Sequence, residues 1–254
     1  MSRCISNNEI ETLGQALMKQ YIETMNLKHV FCMDIEGFVT DFLGLPIEYE
    51  SIAEEQTGEE KETKKLGFLS DGITKLKVVL NGVVQEVIFP RDTIVIDKIL
   101  LSPEESGRKR FTIAHEAGHY IMVKHCSVSA QASFHREFDS TAVYSPRMMK
   151  QLYDMNERYA NRAAACLLLP ADLMSRLIRS FNKGRPVRIF PGNVLAEKEK
   201  LLIKKMADAA GTTNATLFYR LRELHLFQEH PMDEYLRECI LKKGVVYAKD
   251  LPFI

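Results

Sequence analysis

Apolar residues recur at three- and four-residue spacing through Ile10, Leu13, Leu17, Tyr21 and Met25, which predicts a helix over 8–25 with Asn7 or Asn8 as N-cap. A shorter helix is expected at 35–43. Asp34 can cap it, Ile35, Phe38, Val39 and Phe42 can form its buried face, and Gly44-Leu45-Pro46 can end it. Residues 47–52 then read as a short strand, and 66–97 are β-rich. Lys75–Leu80 and Val83–Phe89 flank Asn81-Gly82, a hairpin signal because both central residues must accept positive φ. Thr93–Asp97 supplies a further strand, so the sheet is expected to be mixed or antiparallel. The charged run 53–65 (AEEQTGEEKETKK) reads as a solvated surface loop, with a partner-binding tail as the alternative.

Ser102–Lys109 reads as a loop delivering the chain into a helix that starts near Arg110. Residues 126–145 show no clean period, and two readings stay open: a lid or cleft wall, or a connecting loop. Helical patterns return at 147–169, stopped by Pro170, and at 171–181, 193–210, 213–225 and 232–242. The tail 244–254 is a short strand or a loose end. These patterns predict an α+β protein, divided as 1–182 and a helical, helix-turn-helix-like region 183–254.

Lys plus Arg equals Asp plus Glu at 34 each, which argues against a protein held on nucleic acid by bulk charge. Five scattered cysteines, Cys4, Cys32, Cys126, Cys166 and Cys239, form no C-x-x-C pair, so a reducing cytoplasm is expected rather than a disulfide framework. No apolar core of signal-peptide type stands in residues 1–30, and no run is long enough for a membrane span. One local excess breaks the balance. Arg176, Arg179, Lys183, Arg185 and Arg188 follow one another with no acid between them, a patch for an acidic protein surface or for solvent.

The sharpest chemistry lies in 110–125, RFTIAHEAGHYIMVKH. Positions four apart on a helix are offset by about 40° and about 6 Å, so His115 and His119 can point at one ion. Zinc takes imidazole nitrogen readily, and Glu116 stands where a carboxylate can act as general base to a metal-activated water. The helix is otherwise apolar, so two His and a Glu inside it need partners, and a metal supplies one. Gly118 in mid-helix suggests close approach of another element. A catalytic zinc site takes three protein ligands. Glu157 is the best third candidate, because Ala160, Asn161 and Ala164 make its helical face small enough to pack against Gly118. Asn161 could orient a ligand from one turn away. Tyr120, Tyr144 and His135 are the candidate donors to the reaction's oxyanion.

RFTIAHEAGHYIMVKH followed by E-x-x-A-N-x-x-A-A-x-L-L-L-P over 157–170 resembles the ImmA/IrrE family of metallo-endopeptidases. The preceding IVIDKILL and the Arg220-Leu221 pair within Leu217–Leu224 are similar as well. The resemblance spans roughly 10–226. It implies a zincin-like domain, zinc held by His115, His119 and Glu157, Glu116 as catalytic base, and a helix-turn-helix repressor as substrate. The chain departs from the family in the long spacing from His119 to Glu157 and in Ala163, where a Phe is usual.

Three readings follow. The leading one is a zinc endopeptidase. The others are a DNA-associated regulator whose metal site is structural or sensing, and a toxin–antitoxin-type protein that acts by binding. The DNA reading places Lys204, Lys205, Arg220 and Arg222 on phosphates. Six basic against four acidic residues over 197–226 leave only +2, so nucleic-acid binding is not favoured.

Overall fold

In a computed structural model, residues 5–27, 31–53, 65–126, 133–136 and 155–242 are described, with 133–136 and 239–242 described in backbone only. The expected partner tail or loop at 53–65, the helix turns at 147–154 and the tail 244–254 lie wholly or almost wholly outside these residues. The molecule is mixed α+β. Helix α1 (Asn7–Thr24) is capped by Ser6 rather than Asn7 or Asn8. Ser6 and Glu9 form a reciprocal capping box, which satisfies two backbone donors where a lone Asn would satisfy one. Asp34 caps the next helix as expected, accepting from the Gly37 amide at 3.0 Å. That helix, α2 (Ile35–Gly37), runs on as a π-helical turn, Phe38–Phe42.

The main sheet is mixed, in the order β1 (Ile47–Glu50), β5 (Ile94–Asp97), β2 (Lys65–Leu69), β6 (Ser133–Arg136). β1 and β5 are parallel; β2 runs antiparallel to both its neighbours. The Asn81-Gly82 hairpin forms from β3 (Leu76–Leu80) and β4 (Val83–Val87), with φ of 52° and 79° at the turn. Side-chain alternation sorts the sheet into two faces. Ile94, Ile96 and Leu69 face the principal core, while Val95 and Phe68 pack with Leu76, Val78 and Phe89 of the hairpin side.

Helix α3 (Ser106–Cys126) lies on the principal face. It starts earlier than the expected Arg110. Ser102 and Pro103 open a 3-10 turn that carries Glu104 and Glu105, and the chain passes directly into the helix. Thr112 through His119 are buried without a break, because the sheet covers one side and helix α4 (Met155–Leu168) the other. Part of the irregular 126–145 segment proves to be strand β6, the edge of the main sheet.

Beyond Pro170 come α5 (Ala171–Asn182), α6 (Glu197–Ala210), α7 (Asn214–Glu223) and α8 (Met232–Lys242). Two short parallel strands, β7 (Val187–Ile189) and β8 (Phe227–Glu229), were not visible in the periodicity. Thr213 caps α7, and Gly211 ends α6 at φ 61°. One apolar core holds residues from both sides of the 182/183 boundary, among them Leu173, Leu177, Val187, Ile203 and Leu221.

Candidate metal centre

α3 and α4 each contribute to one polar cluster inside this core. His115 and His119 lie one turn apart on α3, with Nε2 atoms 3.0 Å from each other. Glu157, in the first turn of α4, places Oε2 3.2 Å from His115 Nε2 and Oε1 3.3 Å from His119 Nε2. His115 is fully buried and His119 nearly so, while the Glu157 side chain keeps 22% of its surface. The site therefore has one partly open side, at the carboxylate.

The three ligand atoms fit a metal ion. An ion about 2 Å from each of three tetrahedral ligands sets them about 3.3 Å apart; here the two Nε2 atoms are 3.0 Å apart and each has one Glu157 oxygen, a different one, at 3.2 or 3.3 Å. Asn161 Oδ1 lies 3.0 Å from His115 Nδ1. An amide oxygen can only accept, so Nδ1 carries the proton and the neutral ring presents the Nε2 lone pair to the cluster. The two Nε2 atoms, 3.0 Å apart, are close enough to share a proton or a cation. Burial works to raise the Glu157 carboxyl, but the hydrogen bonds and charge of His115 and His119 outweigh it and hold it well below the usual carboxylate range. The positive charge that those bonds supply as protons is the charge a metal would bring.

Gly118 meets the expectation of close approach. A Cβ there would stand 2.9 Å from the Ala160 carbonyl oxygen and 3.2 Å from Ala163 Cβ, so α3 and α4 can lie this close only with glycine at the crossing. Ala163 is a wall of that contact. Glu116 is fully buried. Its side chain lies toward β2, where a Cβ on Gly67 would fall 2.8 Å from Oε1. Nothing in the periodicity around Gly67 marks it, although a lone glycine inside a strand is a recognised sign of close approach.

Of the candidate oxyanion donors, Tyr120 is partly exposed and its hydroxyl accepts from Lys124 Nζ at 3.0 Å. His135 sits on β6 opposite Gly67, with its side chain outside the described residues, and Tyr144 lies outside them altogether.

Two groups assigned to the surface have other work. Arg220, expected on phosphates, is fully buried. Its guanidinium donates to both Glu11 oxygens at 2.7 and 2.6 Å and to the Leu169 carbonyl at 2.8 Å, because α7 turns that face into the core against α1. Arg188, in the basic patch, donates to Glu199 at 2.9 Å and Glu238 at 2.7 Å. Acids distant in sequence thus reduce the patch. Among the described residues no helix is long and apolar enough to cross a membrane. Compared with known proteins, the chain matches no family model and no curated protein.

Proposed function

We propose that this chain is a zinc-dependent endopeptidase of the ImmA/IrrE kind, acting on a helix-turn-helix repressor in the cytoplasm. The observation that carries the reading is the convergence of the His115, His119 and Glu157 ligand atoms beside a fully buried Glu116. Two nitrogens and one carboxylate oxygen are a donor set that suits zinc, and three protein ligands leave the fourth tetrahedral position for chemistry. The open side at Glu157 agrees with a site that a substrate must enter.

Zinc, when bound, supplies Lewis acidity to a water and to the scissile carbonyl. The chain supplies the rest. His115 is held in the ligating tautomer by Asn161. Glu157 stays an anion and balances the charge of the site. Glu116, as general base, takes the proton of the attacking water on a carboxylate oxygen and hands it to the departing amine.

Replacing Glu116 with Gln tests this directly. The variant is expected to keep its fold and its metal content, and to hydrolyse the repressor encoded nearest its gene about 10²–10⁴-fold more slowly. Metal analysis and gel-based cleavage read the two outcomes. Equal cleavage by both proteins would sink the peptidase reading and return weight to the regulatory alternative.

A further inference from the structure

Gly67 occupies the middle of β2, paired on one side with Ile96 of β5 and on the other with His135 of β6. β2 is thus an interior strand, with an irregularity in its pairing to β6 between Lys65 and Gly67. α3 packs over this part of the sheet. A Cβ on Gly67 would fall 2.6 Å from Thr112 Cγ2, 2.8 Å from Glu116 Oε1 and 3.2 Å from Glu116 Cγ. Thr112 is one helical turn before Glu116, and both are buried. Gly67 is not among the glycines with positive φ, so its backbone does not demand glycine. Space does. Glycine in a strand interior gives up side-chain packing and costs conformational entropy, and here what it admits is the side chain of Glu116.

We propose that Gly67 is a positioning residue: its missing side chain makes a notch in β2 that seats Glu116 and fixes where that carboxylate stands. The geometric part stands on its own distances. The consequence for rate rests on the peptidase reading above. A general base must sit within hydrogen-bond reach of the proton it takes, and a misplacement of about 1 Å can cost about 10²-fold in rate. A side chain at residue 67 would press on Thr112 and Glu116, whereas His115, His119 and Glu157 are not among the nearest atoms it would meet.

The test separates the methyl clash with Thr112 from the clash with Glu116. Thr112→Ser removes Cγ2, and Gly67→Ala is then added to it. Both variants and the parent protein are loaded with zinc, crystallised, and assayed on fluorescein-labelled casein. Thr112→Ser alone is expected to match the parent. The double variant is expected to bind zinc as the parent does and to move the Glu116 carboxylate by about 1 Å or more, with kcat lowered about 10²-fold and KM little changed. A carboxylate in its original place in the double variant overturns the proposal. If the parent itself leaves casein intact, the peptidase reading loses that support, and the crystallographic position alone decides the notch. If the double variant does not fold, Glu116→Ala is added to it. Recovery of the fold then supports a notch filled by Glu116, and no recovery overturns it.

Discussion

A metal-ligating histidine is only as well placed as the group that holds its other nitrogen. For His115 that group is Asn161, 3.0 Å from Nδ1 and on the same helix as Glu157. Asn161→Ala should leave a metal-binding protein whose affinity is weaker by about 10–100-fold, the usual effect of losing such support. Competition with a chromogenic chelator measures it, and unchanged affinity would remove Asn161 from the site. At this scale the sequence was highly legible. His115, Glu116 and His119 declare themselves by spacing on an apolar helix. Glu157 and Asn161 declare themselves by standing among alanines. What spacing could not express was a side chain's second neighbour. Nothing local to Arg220 points to Glu11, and nothing local to Lys124 points to the Tyr120 hydroxyl except the one-turn interval.

The site exists because α3 and α4 touch, and Gly118 governs that contact. Gly118→Ala would gain about 1 kcal/mol of helix propensity. Against this stands a Cβ 2.9 Å from the Ala160 carbonyl oxygen, a backbone atom that cannot turn aside. Overpacking of this sort costs about 1–3 kcal/mol, so the variant should be less stable in urea despite the better helix former. It should also bind metal more weakly, because Glu157 rides on the helix that is pushed away. A variant as stable as the parent and with equal affinity would show that the helices do not need this spacing. Long elements with a clear period, α1, α3 and the Asn-Gly hairpin, could be read from the sequence because many residues repeat the same instruction. β6, β7 and β8 have only three or four residues each, and their identity comes from the strand beside them. The start of α3 was misplaced because SPEESGRK looks polar and turn-rich, yet Pro at a first helical position followed by two Glu is also how helices begin.

Across the whole molecule, one ion-pair cluster ties α1 and α7, far apart in sequence, to the back of the site. Arg220 of α7 grips Glu11 of α1 with two bonds and also meets Glu223 at 3.1 Å. Cys166 of α4 donates to Glu11 at 2.9 Å, and burial pushes its thiol up to about 12, so it remains protonated as that donor. α4 is thus held from behind by the same carboxylate that neutralises Arg220. Burial works to raise Glu11, but the bonds to Arg220 and Cys166 prevail and lower it from 4.5 to about 2. A carboxylate depressed in the folded state contributes stability above its unfolded value and loses it as pH falls toward the folded one. That contribution should therefore disappear between pH 4.5 and about 2. Glu11→Gln leaves Arg220 with Glu223 as its remaining carboxylate partner and should cost about 1.5–3 kcal/mol at pH 7. Urea unfolding of both proteins at several pH values checks the sign. The gap between parent and variant should narrow as pH drops through this window, because protonation does to the parent what the substitution does to the variant. A gap independent of pH would mean that Glu11 is not the counter-charge of Arg220 in solution.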